Sequence, residues 1–294
     1  MWKSKGSRSL WLSNQSCKYG GFLPLQDGNR FFLPVKEEEM EKEFTEFLQY
    51  FDGTRKVVAL TGAGISTLSG IPDFRGKNGF FVTGELWHGF KREELFDIDF
   101  FHENPGVFYL FAKEFLYPML EKTPSIAHRT LAELEKRGLC SAIYTQNIDT
   151  LHAKAGSNAG ELHGTLQESS CVNCGKSFDF SEVLPAIQTE KIPYCPICKA
   201  LLKPKVVFYG ESLPEELLQQ AVKDCRQADL LMVFGSSLTV YPVAGLPHQT
   251  LENGGKLAII NASKTALDSK ASFLFPDITE FCNTLMAHLE IREK

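Results

Sequence analysis

The 294-residue chain has no apolar run of about 18 residues or more, which argues against a membrane-spanning helix. It also has no excess of positive charge. The 31 Lys and Arg against 36 Asp and Glu leave a net charge of −5, the wrong sign for a general nucleic-acid binder, so no direct nucleic-acid binding is expected. Acids are missing from the first 26 residues, where Lys3, Lys5, Arg8 and Lys18 stand without counter-charge. That segment reads as an exposed basic tail, with an organelle presequence as the competing reading; it lacks the apolar stretch of a secretory signal. Internal repeats and low-complexity tracts are absent. What remains is ordinary globular composition, 43% apolar and 23% charged, with length enough for a large domain or a large and a small one.

Eight cysteines are present, and four form two pairs, Cys171-x-x-Cys174 and Cys195-x-x-Cys198, with 20 residues between them. In a large charged chain this spacing points to one structural zinc ion rather than disulfides, and so to a reducing, cytoplasmic setting. A redox dithiol would need only one pair. Four thiolates fill the usual four positions of zinc, so His163, eight residues ahead of Cys171, is not needed as a ligand. The span 166–205 carries few basic residues, which favours a scaffolding role. Cys140 and Cys282 stand among apolar residues and read as core fillers.

Apolar runs at 56–61, 140–147, 230–237 and 256–263 alternate with helical patterns at 127–138, 213–229 and 242–255. A further helix is expected over 36–51, with Met40, Phe44, Phe47, Leu48 and Phe51 on one side. Strand and helix alternating in this way predict an α/β fold with a doubly wound parallel sheet. Ligands of such sheets lie beyond the carboxyl ends of the strands, so Thr61, Gln146, Asn147, Gly235, Ser236 and Asn261 are expected in one crevice. Two stretches interrupt the alternation: the Phe-rich 76–123, read as helices with an apolar face, and the cysteine-bearing 166–205. Both are expected to form a smaller lobe. The division expected is an irregular extension over 1–36, the sheet domain over 37–75, 124–165 and 206–294, a helical insertion over 76–123 and a zinc module over 166–205.

After the first strand, "TGAGISTLSGIPDFRG" places Gly62 and Gly64 in a Gly-x-Gly, but Thr67 stands where a dinucleotide fingerprint has its third glycine. The glycines and the amides of a following helix suit a pyrophosphate; a plain tight turn is the alternative. In the next loop Phe74 suits covering a flat ring or packing a core, and Arg75 suits a phosphate, an acid or a bare surface.

Together these segments resemble the sirtuins, NAD-dependent protein deacylases, over about residues 40–290, and look most like their bacterial and archaeal deacetylases. The resemblance rests on "GAGIS", "GIPDFRG", "TQNIDTLH", "ELHGT", the cysteine pairs, "KPKVVFYGE", "FGSSLTVYPVAGLP" and "IINAS". It implies a Rossmann-like NAD-binding domain with a zinc-bearing small lobe. It further implies attack of the acyl-lysine amide oxygen on C1′ of the nicotinamide ribose, loss of nicotinamide, and transfer of the acyl group to ADP-ribose. His163 would be the general base, a task suited to a group titrating near neutrality, with Asn147 and Asp149 holding the carboxamide. Gly62, Ala63, Gly64, Ile65, Asp73, Phe74, Arg75, Gln146 and Ile148 would line the cofactor site. Gly235, Ser236, Ser237, Asn261, Ala262, Ser263, Asp277 and Ile278 would hold its adenosine half. An acyl-lysine peptide would add as a strand along Val206, Val207, Phe208, Gly210 and Glu211, with Val240 on its other side. His152 reads as a second candidate base or, more plainly, a packing histidine. The segment after "DFRG" lacks the Tyr-x-x-Arg pair of sirtuins that select acidic acyl groups and offers Phe80, Phe81, Val82 and Trp87, so a neutral acyl chain is expected. An ADP-ribosyltransferase on the same scaffold and a non-catalytic zinc scaffold are the competing readings.

Overall fold

The structure, a computed structural model, describes residues 37–74, 79–81 and 86–292. The basic segment 1–36, Arg75 and Val82 lie outside the described residues. The chain divides into two compact units, 1–46 and 47–294. The described part of the first is the opening of the helix Glu37–Gly53, and every strand belongs to the second. No helix among the described residues is long and apolar enough to cross a membrane.

Among the described residues, nine strands form two sheets. They are β1 (Val57–Thr61), β2 (Ala142–Thr145), β3 (Gly160–Glu161), β4 (Gly164–Cys171), β5 (Ser177–Asp179), β6 (Leu202–Val206), β7 (Leu230–Phe234), β8 (Lys256–Ile260) and β9 (Phe273–Phe275). The larger sheet has the order β3-β2-β1-β7-β8-β9 with every pair parallel. Its inner strands are the four apolar runs read from the sequence. β1 and β7 are buried at every position, as strands covered on both faces must be. β1 lies where the strand order reverses, β2 on one side and β7 on the other. In doubly wound sheets the crevice opens beyond the carboxyl ends at that reversal.

Local chemistry sets the element boundaries. The helix Ile126–Lys136 starts on a reciprocal cap, with the Ser125 amide donating to Nδ1 of His128 at 3.2 Å. The Phe-rich stretch does not form long helices. Asp97 accepts from the amides of Asp99 and Phe100 to start Ile98–Glu103, and Pro105 opens Pro105–Phe111 because a proline has no amide to continue the previous turn. Pro118 likewise falls in a short 3₁₀ segment, Tyr117–Glu121. Phe101, Phe108 and Phe111, wholly buried, join Leu202 and Phe208 in one cluster that includes Cys171 and Cys195. The Tyr109 hydroxyl donates to the Leu202 carbonyl at 2.6 Å, tying this stretch to β6.

The smaller sheet, β5-β4-β6, is antiparallel. The chain passes from one sheet to the other within three residues. The Leu162 amide still donates to Thr145 of the parallel sheet at 2.9 Å, while the His163 carbonyl already accepts from Val207 beyond β6 at 2.9 Å. Gly164 makes the passage possible: its φ is +77°, and a Cβ there would stand 1.8 Å from the Lys205 carbonyl oxygen. Gly164→Ala should therefore destabilise the fold by about 2–4 kcal/mol, read as a lowered midpoint in urea unfolding. An unchanged midpoint would contradict the crossing described.

Candidate active site and metal centre

At the carboxyl ends of the parallel strands lies a cavity of about 370 Å³, within the usual range of ligand pockets, roughly 300–1,000 Å³. Its floor depends on backbone meeting backbone. The Gly64 amide donates to the Gly235 carbonyl at 2.8 Å, and a Cβ on Gly64 would fall 2.6 Å from the Gly235 Cα. Only glycines let the loops after β1 and β7 approach so closely. A helix follows β1, as the sequence pattern leads one to expect. It is a single turn, Gly64–Thr67, and the amides of Gly64, Ile65 and Ser66 donate to carbonyls of Gly235, Gly62 and Ala63. Those three amides are thus paired inside the protein.

Of the residues singled out from the sequence, Gly62, Ala63, Gly64, Asp73, Phe74, Gln146, Asn147, Ile148, His163, Gly235, Ser236, Ser237, Asn261 and Ser263 line the cavity. Val206, Val207, Phe208, Gly210, Glu211 and Val240 line it too. Ile65, Asp149, Ala262, Asp277 and Ile278 do not, and Arg75 is outside the described residues. Thr61 also turns away, its hydroxyl 2.9 Å from Nε2 of His152, and both are buried. His152 is thus a packing histidine, and burial pushes its pKa down to about 4, so it stays neutral.

His163 is the one histidine that lines the cavity among the described residues. Its Nδ1 lies 3.0 Å from the Gln146 carbonyl. A carbonyl only accepts, so Nδ1 carries the proton of that bond and the lone pair lies on Nε2. Gln146 is fixed in turn, its amide donating to Thr61 and its Nε2 to the Ser236 hydroxyl at 2.8 Å.

Asn147 donates both hydrogens of Nδ2, to the Gly62 carbonyl and the Ser66 hydroxyl, each at 3.1 Å. Its amide oxygen is then the group it can offer a ligand. Asp149 sits a layer deeper, 4% exposed. Its carboxylate accepts from the Ser66 hydroxyl at 2.6 Å and the Leu151 amide at 2.9 Å. Burial raises its pKa and these hydrogen bonds oppose the rise. Without a ligand Asp149 does not line the cavity; it meets Ser66, which in turn meets Asn147. Ser66 itself was missed, although "GAGIS" displayed it: a serine beside glycines carries no signal of a buried acid 83 residues on. Tyr209 and Tyr241, within the quoted "KPKVVFYGE" and "FGSSLTVYPVAGLP", line the cavity as well; Phe96 and Leu213 line it unannounced, because their sequence patterns match ordinary packing.

The four cysteines converge. Their Sγ atoms all lie within 4.8 Å of one another, with Cys171–Cys198 at 3.3 Å and Cys174–Cys195 at 3.8 Å. A tetrahedral zinc ion with Zn–S bonds of about 2.3 Å needs sulfur separations of about 3.8 Å, so the donor set fits one zinc. The Ala200 amide beside Cys198 pulls its thiol down to about 6, toward the thiolate a metal requires. β4 runs from Gly164 to Cys171, eight residues or roughly 25 Å of strand. His163 and the cysteines stand at its opposite ends, so the histidine is no ligand and the metal is remote from the cavity.

Two variants test these placements. Cys174→Ser should release zinc, measured by atomic absorption, and lower the thermal midpoint; retained stoichiometric zinc would contradict the four-thiolate site. Burial pushes the Glu161 carboxyl, two residues before His163, up to about 7; the Thr165 bond opposes this and Asp149 and Glu168 add to it. Its ordinary value is 4.5, so between about 4.5 and 7 the folded chain keeps a proton that the unfolded chain gives up. Ionising Glu161 therefore costs stability as pH rises through that window. Glu161→Gln should be more stable than wild type at pH 8, with the difference vanishing near pH 4; a gap of constant size would contradict this.

The Sir2 family profile matches residues 62–242. An NAD-dependent protein deacetylase of Thermotoga maritima is 45% identical over 82% of this chain and 96% of its own length. NAD-dependent protein deacylase 2 of Archaeoglobus fulgidus is 39% identical over 82% and 96%. A solved structure of Sir2 with a p53 peptide and NAD+ superposes with a TM-score of 0.77 at 43% identity, covering 84% of this chain and 99% of that one. On a profile match spanning most of the chain and relatives aligned nearly end to end, this protein belongs to the Sir2 family.

Proposed function

We propose that this chain is an NAD-dependent protein-lysine deacylase that moves a neutral acyl group from lysine to ADP-ribose and releases nicotinamide and O-acyl-ADP-ribose. The observation that carries the reading is His163, oriented by the Gln146 carbonyl and set on a cavity that also holds Asn147, Phe74 and the glycine loops. Relatives named for this activity support it.

In this reading NAD lies along the glycine loops and the hydroxyls of Ser236 and Ser237, while the amide oxygen of Asn147 faces the carboxamide. The substrate's amide oxygen attacks C1′ as nicotinamide departs. An amide oxygen is a weak nucleophile, so the step depends on alignment and on the exclusion of water, which the rings of Phe74, Phe81 and Phe96 favour. Nε2 of His163 then takes a proton from a ribose hydroxyl, so that the 2′-oxygen can reach the acyl carbon. A positioned base of this kind contributes on the order of 10² to 10⁴ in rate. The four-thiolate zinc holds the small lobe in shape. The lobe division given by the sequence, with the zinc module at 166–205 and the helical insertion at 76–123, fits this assignment of tasks.

The peptide site is narrower than a free strand. Val207, Phe208, Tyr209 and Glu211 already donate their amides to His163, Glu211, Phe96 and Phe208. A peptide strand would therefore pair through Gly210 and the Ser237–Val240 side. The acyl end meets aromatic rings at centroid separations of 5.3 Å for Phe74–Phe81 and 5.9 Å for Phe81–Phe96. The charged carboxylates among the described lining residues are Asp73 and Glu211, and no lysine or arginine among those residues stands ready to pair with an acidic acyl group.

Mass spectrometry of an acetyl-lysine peptide with and without NAD tests the reading. Loss of the acetyl group only with NAD is expected. Gain of ADP-ribose by the peptide would indicate a transferase, and no change a non-catalytic scaffold. Across acetyl-, propionyl- and succinyl-peptides, the succinyl substrate should be slower by at least about tenfold, since burying an unpaired carboxylate is costly.

A further inference from the structure

Lys203 is a lysine inside the protein, 8% exposed, on β6. An ammonium withdrawn from water needs full compensation by acceptors and counter-charge. Here the compensation comes from the next eight residues of the chain. Nζ donates to the Val206 carbonyl at 2.7 Å and the Pro204 carbonyl at 3.4 Å, and pairs with Oε2 of Glu211 at 2.8 Å. It also stands 4.1 Å above the centre of the Phe208 ring. Oε2 of Glu211 accepts the Phe208 amide as well, at 2.8 Å. Val206, Phe208 and Glu211 all line the cavity, and Lys203 does not.

We propose that Lys203 is a positioning residue for substrate: its buried ammonium gathers Val206, Phe208 and Glu211 into a preformed wall against which the acyl-lysine peptide binds. The inference rests on reading that wall as the peptide site. The chain folds back on the ammonium, so one charge fixes a carbonyl, a ring and a carboxylate that would otherwise belong to a short loop. A wall assembled before substrate arrives spares the peptide the cost of ordering it. That benefit is the same in ground and transition states, so it enters KM for the peptide and leaves kcat largely alone. The wall is separate from Ser236, Asn147 and the glycine loops, so NAD binding should not depend on it.

Steady-state kinetics of Lys203→Met and Lys203→Arg, with acetyl-peptide and NAD varied in turn, test this. Lys203→Met should raise KM for the peptide by about tenfold or more, with kcat and KM for NAD within about twofold of wild type. Lys203→Arg, which keeps the charge, should recover most of the loss. If Lys203→Met does not fold, Lys203→Gln, which keeps a donor for the Val206 carbonyl and removes the charge, should show the same split. An unchanged KM for the peptide, or equal losses for both substrates, would overturn the role of Lys203 and leave the deacylase reading standing. Failure of the wild-type protein to bind or turn over acetyl-peptide would overturn both.

Discussion

The crossing from one sheet to the other at Leu162, His163 and Gly164 is the constraint on which the site depends. Leu162 is still held by Thr145 of the parallel sheet, and His163 is already held by Val207 of the antiparallel side. A side chain at that junction can reach the cavity beyond the parallel strands while its backbone belongs to the small lobe. The close contact of Gly164 with Lys205 leaves the chain one route. The bond from Nδ1 of His163 to Gln146 then settles which ring nitrogen faces chemistry. Position and tautomer of the proposed base thus result from backbone pairing, before any ligand is considered.

The same strand explains the metal. β4 begins at the histidine's neighbour and ends on Cys171, the first thiolate. Zinc bound at the far end would tie the strand to the second cysteine pair, and Cys171 and Cys195 belong to the same buried cluster as Phe101, Phe108 and Phe208. The charged groups divide along similar lines. His128 and His152 are buried and held neutral, with pKa values pushed down to about 3 and 4 chiefly by burial. Lys203 is buried but paired with Glu211. Among the seven histidines, His163 is the one that lines the cavity, where a ligand can reach it.

Much of this was legible in the sequence, for physical reasons. Strands buried on both faces must be apolar throughout, so β1, β2, β7 and β8 announce themselves. Two Cys-x-x-Cys pairs at this spacing have few other uses, and they made His163 surplus by arithmetic. The rest was hidden where short-range pattern carries no information. β3 and β9 have two and three residues, too few for any periodicity. The Phe-rich stretch reads as helices with an apolar face, but its apolar spacing does not display the breaks at Pro105 and Pro118. The layering of Asp149 behind Ser66, and the spending of the Gly64–Ser66 amides on carbonyls of the loops around them, are tertiary facts that a local motif does not display. Lys203 looks like any lysine in "KPKVVFYGE" until the fold closes over it.

The separation of histidine from metal is the central claim, and one variant probes it directly. His163→Ala should keep one zinc per chain and keep NAD binding, while NAD-dependent deacetylation falls by about 10² to 10⁴. Loss of zinc from that variant, or deacetylation at the wild-type rate, would contradict the account.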